Sequence, residues 1–320
     1  MRIATYNTEL QRDGPGLFLR DLARGEDTQI AAVLAVIAAA DADVIALQGI
    51  DYDLTGEALN RLAEMADYPH AFALRPNTGM PTGLDLDGDG RLGGPRDAQG
   101  YGRFSGQGGM AILSRLPIDT ANVQDLSALL WRDVPGALLP TVDGAPFPSA
   151  EAQAAQRLST TGHWIVPIIG PDGPFQLMTF HASPPVFDGP EDRNGKRNHD
   201  EIMLWLKVLE GTVGTPPPGP FVIAGDANLD PVDGSGIKAA INALLSSPKL
   251  QDAAPRGASG TDTADWDDPV PGDLRVDYVL PSTDWRVIDS GVMWPAPDDP
   301  MAATVAEASR HRLVWVDLSY

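Results

Sequence analysis

The chain of 320 residues sets 23 Lys and Arg against 44 Asp and Glu, a net charge of −21, so its surface as a whole repels polyanions and disfavours tight duplex binding. With no cysteine, disulfides, zinc–thiolate centres and a cysteine nucleophile are excluded. The 33 Gly and 29 Pro point to short elements joined by many ordered turns rather than to a helix bundle, and no apolar run reaches the roughly 18 residues of a membrane helix.

Ile3 to Tyr6 reads as a strand ended by Asn7-Thr8-Glu9. This opening stretch lacks the charged start and apolar core of a signal peptide, while the acidity favours a secreted or periplasmic setting. Leu17 to Arg24 and Thr28 to Ala40 read as helices, the second with Ile30, Val33, Leu34 and Ile37 on one face. Val44 to Gln48 is an unbroken apolar strand followed by Gly49 and the acidic Asp51-Tyr52-Asp53, and Glu57 to Ala66 is an amphipathic helix. The strand–helix alternation suits a layered α/β fold.

Residues 75–108 break that rhythm. Asp85, Asp87 and Asp89 with Gly90 match positions one, three, five and six of a calcium loop, where carboxylates and a tight glycine turn wrap one ion. Arg96 stands where the bidentate glutamate belongs, so the expectation is a Ca2+ clamp on a long loop, inserted at 83–98, rather than a helix–loop–helix hand. A glycine-rich acidic turn is the plain alternative. Gly109 to Arg115 returns to strand, and residues 119–158 are proline-rich and irregular with Trp131 as a packing anchor.

His163 to Ile169 and Phe175 to Phe180 form a hairpin across Gly170-Pro171-Asp172-Gly173, and the second strand delivers His181. A helix through Leu209 follows, opened by Arg193, Lys196 and Arg197, the densest basic cluster of the chain. Either this is a solvated helix start or a phosphate clamp combining ion pairing with the helix's positive end. Phe221 to Ala224 is a short buried strand punctuated by Gly225. Beyond it Asp226 and Asn228 place a carboxylate and an amide at its mouth, suited to a hard cation, to a phosphoryl oxygen, or merely to closing a turn. Ile237 to Leu245 is a helix, 251–273 an acidic loop, and Leu274 to Leu280 a strand that buries Asp277 among apolar neighbours. A buried carboxylate needs a partner, and His311, just before the final strand Leu313 to Leu318, is the candidate. Such a pair fixes the imidazole and stabilises its protonated form for acid–base work.

Tyr6-Asn7, Leu47-Gln48, Gly109 to Arg115, Phe180-His181, Gly225 to Asn228, Arg275 to Val279 and Ser309 to His311 together resemble the ordered motifs of the endonuclease/exonuclease/phosphatase superfamily. The resemblance implies a four-layered α/β sandwich, two packed mixed β-sheets with outer helices, over a single domain 1–320. It implies a divalent-metal-dependent phosphoester hydrolase, phosphodiesterase or phosphatase, using Mg2+ or Mn2+. In that reading Asn7 helps hold the metal, Asp226 orients or deprotonates water, and Asn228 and His181 contact the phosphate. Asp277 orients His311, which stabilises the developing charge. Two departures stand out: the family's metal-binding glutamate is Gly49, and its closing Ser-Asp-His reads Ser309-Arg310-His311. Asp51, Glu9 and Glu201 are the candidate replacement carboxylates, and Arg310 joins Arg193, Lys196 and Arg197 as a candidate phosphate binder. A small or lipid-derived phosphoester is the favoured substrate. A nuclease of the same fold and an inactive, calcium-stabilised binding protein are the alternatives.

Overall fold

The unbroken apolar runs become strands covered on both faces, which is why they do not alternate. The computed structural model describes residues Met1–Tyr320. In chain order the elements are β1 (Arg2–Asn7), α1 (Leu17–Arg24), α2 (Thr28–Ala40), β2 (Val44–Ile50), α3 (Glu57–Met65), β3 (His70–Phe72), β4 (Gly109–Ser114), β5 (Gln124–Asp125), β6 (Thr141–Val142), β7 (Ala145–Pro146) and α4 (Ala150–Ala155). There follow β8 (His163–Gly170), β9 (Gly173–His181), α5 (Arg193–Glu210), β10 (Phe221–Asp226), α6 (Ala239–Leu245), β11 (Asp277–Pro281), β12 (Arg286–Val292), α7 (Ala302–Ala308) and β13 (Val314–Ser319).

One sheet has six strands in the order β12-β13-β1-β2-β4-β3, with β1 and β2 parallel. The other has five, β11-β10-β9-β8-β5, with β9 and β10 parallel. Both are therefore mixed. Val44, Ala46 and Ile112 of the first sheet meet Trp164, Val166 and Val222 of the second in one dry layer. The intervening residues of the same strands point outward. Ile45 and Leu47 pack on Phe18, Val33 and Ile37, while Met178 and Ile223 pack on Ile202, Trp205 and Ile241. Each such side chain contributes roughly 1.5–3 kcal/mol of burial. The result is the expected four-layered α/β sandwich with helices outside both sheets.

Gly225 does not end its strand. β10 runs on through Asp226 because Gly225 pairs with Phe180 and Tyr278 on its two sides. A Cβ there would lie 2.2 Å from the Phe180 carbonyl oxygen, so the glycine serves close strand approach. The strand expected from Leu274 begins only at Asp277. Trp131 is fully buried, its indole donating to Asp200 of α5 at 2.6 Å, which ties segment 119–158 to the helix layer.

The topology gathers one rim. β1, β2, β9 and β10 all end there, β11 starts there, and His311 precedes β13 there. The register of β10 sets Asp226 opposite His181 on one neighbour and Asp277 on the other.

Candidate active site

Three polar residues are thus placed in a row by strand pairing alone, and the six-stranded sheet supplies the rest. Asn7, at the end of β1, donates from Nδ2 to Asp226 Oδ2 at 2.9 Å across the gap between the sheets. The same amide nitrogen lies 3.4 Å from His311 Nε2. On its other side His311 holds Asp277 Oδ2 through Nδ1 at 2.9 Å, and Thr263 donates its hydroxyl to that same oxygen at 2.9 Å. His181 Nε2 stands 3.4 Å from Asp226 Oδ2. The structure therefore brings Asn7, His181, Asp226, Asp277 and His311 into one connected cluster.

Asn228 joins it by a turn rather than by extended chain. Its φ of 50° is left-handed, its backbone N–H donates to Asp226 Oδ1 at 2.7 Å, and its side chain donates to the Ala182 carbonyl at 2.9 Å. The turn and the site are the same object, since closing the Asx turn fixes the Asp226 carboxylate.

The electrostatics follow from burial and neighbours. Burial pushes His311 down, but the carboxylates of Asp277 and Asp226 outweigh it and hold the imidazole at about 9, protonated at neutral pH. Burial, then the charge of Asp277, raises Asp226, with His311 and His181 opposing. Burial lowers His181 against the pull of Asp226, so it stays neutral. A cationic imidazole, a neutral one and a carboxylate of raised basicity thus lie within one hydrogen-bond network.

Above the cluster opens a cavity of about 800 Å3. Only five of its 28 lining residues are hydrophobic, which suits a polar occupant. Arg12, Arg96, Arg103, Arg193, Arg197 and Arg310 all line it, against two carboxylates, Glu9 and Asp13. In a chain of net charge −21 this is a local reversal of sign.

The basic residues at the start of α5 divide. Arg193 and Arg197 reach the cavity, whereas Lys196 does not and donates to the Glu191 carbonyl at 2.8 Å. Arg197 is buried and donates to the carbonyls of Leu158, Gln99, Arg157 and Ser159, with burial lowering it to about 10. Arg193 donates to the Leu86 carbonyl and so pins the acidic loop against the helix. Asp85, Asp87 and Asp89 bring carboxylate oxygens within 4.8 Å of one another. Asp85 also accepts from the N–H groups of Gly88 and Gly90, and Asp97 turns inward to accept from Leu86 and Gly94.

The replacement carboxylates are not gathered. Asp51 accepts from the backbone N–H of Arg12 at 2.8 Å and of Gly108 at 2.9 Å, and it faces a different, smaller cavity. Glu201 is buried beneath the N–H groups of Thr160 and Ser183. Glu9 does line the cavity, in a left-handed conformation with φ 48°, but it is bound to Arg310. Arg310 Nε donates to Oε1 at 3.0 Å, its backbone N–H to Oε2 at 2.9 Å, and Ser309 Oγ to Oε2 at 3.2 Å. Burial works to raise Glu9, but the Arg310 guanidinium and the His311 charge outweigh it and hold it low. Thr263 and Trp266 join the site without belonging to any of the sequence motifs. Trp266 stacks under the Arg310 guanidinium at 4.4 Å and edge-on to His311 at 5.4 Å. In the sequence Trp266 stands out only as a tryptophan isolated in an acidic loop.

The model of the Endonuclease/Exonuclease/phosphatase family matches residues 4–311. The chain belongs to that family. Members are phosphoesterases, among them nucleases, phosphatases and sphingomyelinases. The fold is shared with an endonuclease/exonuclease/phosphatase from Beutenbergia cavernae at 20% identity and TM-score 0.59, covering 99% of this chain and 71% of that one. It is shared with mannosyl-6-phosphatase Bt3783 of Bacteroides thetaiotaomicron at 16% identity and TM-score 0.54, with 100% of both chains covered. Sphingomyelinase C of Streptomyces griseocarneus matches at 17% identity and TM-score 0.52, over 99% of this chain and 98% of that one. Among curated proteins none matches.

Members of this family generally depend on a divalent metal, and this site holds acidic and histidine groups that could bind one. Ligand atoms of Asp226, Asp277 and His311 lie within 4.8 Å of one another. These three are buried and already bonded within the cluster, however, and the cavity surface does not fit a hard cation. Mg2+ asks for near-octahedral oxygen ligands including one or two carboxylates. Gly49 offers none, and with φ 72° it has no room for one: a Cβ would lie 2.7 Å from Asn7 Oδ1 and 2.8 Å from the Glu9 backbone nitrogen. Both cavity carboxylates are already paired, Glu9 with Arg310 and Asp13 with Arg103.

Proposed function

We propose that this protein hydrolyses small, multiply anionic phosphoesters with water as the nucleophile. The observation that supports the reading is the row of His181, Asp226, Asp277 and His311 beneath an arginine-lined cavity. His311, held cationic by Asp277, donates from Nε2 to a phosphoryl oxygen and stabilises its developing charge. Asp226, with its raised basicity, lies just beneath the cavity lining and takes the proton of an attacking water that enters between Asn7 and His181. His181 and Asn228, both at the cavity, position the phosphoryl group.

Substrate size and charge follow from the cavity. About 800 Å3 suits a small molecule or a lipid headgroup. Arg96 and Arg193 line it without a carboxylate partner, which favours a second anionic group on the substrate, whereas the Arg197 donors are taken by backbone carbonyls. The acidity of the whole chain disfavours long nucleic acid.

The test is turnover of p-nitrophenyl phosphate and bis-p-nitrophenyl phosphate with Mg2+, Mn2+, Ca2+ and in EDTA, with plasmid nicking alongside. Activity in wild type that falls at least a hundredfold in Asp226→Asn and His311→Gln is expected. No turnover in any buffer refutes the proposal. One observation favours a second reading, an anion-binding protein without turnover: Gly49 and the Glu9–Arg310 pair leave no free carboxylate at the cavity surface.

A further inference from the structure

The cavity floor beside His311 carries a built cation rather than an empty carboxylate cage. Arg310 is a side chain 60% exposed, yet it is fixed along one edge and on one face. Glu9 accepts from Nε and Nη2, and the Trp266 ring lies 4.4 Å beneath the guanidinium carbon. Glu9 is itself anchored by the Arg310 backbone N–H, and the Ser309 hydroxyl shares its one proton between the Asn7 carbonyl at 2.8 Å and Glu9 Oε2 at 3.2 Å. The pair is therefore tied to the same residues that hold the Asp226–His311 cluster. Arg310 Nη1 makes no bond to the protein, and the residue lines the cavity together with His181, His311 and Asn228.

We infer that the Arg310 guanidinium, clamped by Glu9 and Trp266, is the positive charge that receives the phosphoryl oxygens, so that anion binding at this site needs no divalent cation. A guanidinium offers donors in a rigid planar fork that matches phosphate geometry, and one held in place beforehand reorganises little on binding. Glu9 acts as the positioning residue. The left-handed turn at Glu9 and the glycine at 49 belong to this arrangement, because a side chain at 49 would strike the Glu9 backbone on which the clamp hangs. The inference rests on the reading of the cavity as a phosphoryl site.

The experiment is calorimetric titration with inorganic phosphate at pH 7.0 in EDTA, with Mn2+ binding followed separately by electron paramagnetic resonance. Wild type is expected to bind phosphate in EDTA, with less than a twofold change on adding Mn2+. Arg310→Met should lose at least tenfold in phosphate affinity, and Glu9→Gln a smaller factor, with thermal unfolding confirming that both fold. Arg310→Asp, which removes the guanidinium from Glu9 and adds a second carboxylate, should gain Mn2+ binding that wild type lacks. Phosphate binding that requires Mn2+ in wild type, or that survives intact in Arg310→Met, overturns the inference. Turnover that dies in EDTA and returns with Mn2+ likewise overturns it while leaving the hydrolase reading standing. Phosphate binding in EDTA without ester turnover does the reverse, and no phosphate binding under any condition removes both.

Discussion

Neutralising Asp277 tests the electrostatic centre of the site. His311 sits at about 9 against an ordinary 6.5, and Asp277 is the largest of the influences raising it. At about 1.36 kcal/mol per unit, that gap is roughly 3 kcal/mol in favour of the imidazolium. In Asp277→Asn the largest raising influence is lost while burial remains and Asp226 and Glu9 still act, so His311 should fall to about its ordinary value. At pH 7.5 the protonated fraction would then drop from nearly all to roughly a tenth. Histidine ring NMR reads the titration directly, and phosphate titration at pH 5.5 and 7.5 reads its consequence. The expected result is at least a tenfold loss of affinity at pH 7.5 and little loss at pH 5.5. Asp277 Oδ1 meets no partner, so the new amide leaves a buried donor unmet at a cost of about 1–3 kcal/mol, which urea unfolding will report. Stability carries the same signature. Because the folded value is raised, the His311 contribution is complete below pH 6.5 and is lost as pH rises through about 9. The urea midpoint of wild type should decline across that window, and that of the variant should not. A His311 that still titrates near 9 in Asp277→Asn, or an affinity loss independent of pH, refutes the reasoning.

Three further outcomes follow from other parts of the molecule. Asp51→Asn keeps one acceptor for the N–H groups of Arg12 and Gly108 and loses the other, so unfolding should show a loss of about 1–3 kcal/mol; a variant as stable as wild type rules out the structural role. If Asp85, Asp87 and Asp89 clamp Ca2+, 1 mM Ca2+ should stabilise the fold by about 1.4–2.7 kcal/mol for a Kd of roughly 10–100 μM, and Asp87→Asn with Asp89→Asn should abolish the effect. Arg96→Met should weaken binding of a substrate with two phosphates at least fivefold and of inorganic phosphate less than twofold. Equal losses for both would place Arg96 at the phosphoryl site itself rather than along the cavity wall.

Much of the fold was legible because burial on both faces leaves a plain trace. Val44 to Gln48 and Phe221 to Ala224 read as strands inside a layered structure, and each carries its polar residue at the end that becomes the rim. What escaped was the weakly marked edge. β12 and β3 are short or half-exposed strands at the margins of their sheet, where pairing rather than apolar content makes the strand.

The sequence by itself marked which residues were candidates for chemistry, because Asn7, His181, Asp226, Asp277 and His311 each lie at or near the end of an apolar strand. Burying such groups costs too much unless they pair. It also located the two departures at Gly49 and Arg310. Only the tertiary structure decided what those departures mean. Asp51 lies two residues from Gly49, yet it turns to hold backbone amides facing another cavity. Glu9 and Arg310 are separated by 301 residues, yet they meet across the same rim. Strand order and the packing of one sheet on the other set such partnerships, and local spacing carries no record of either.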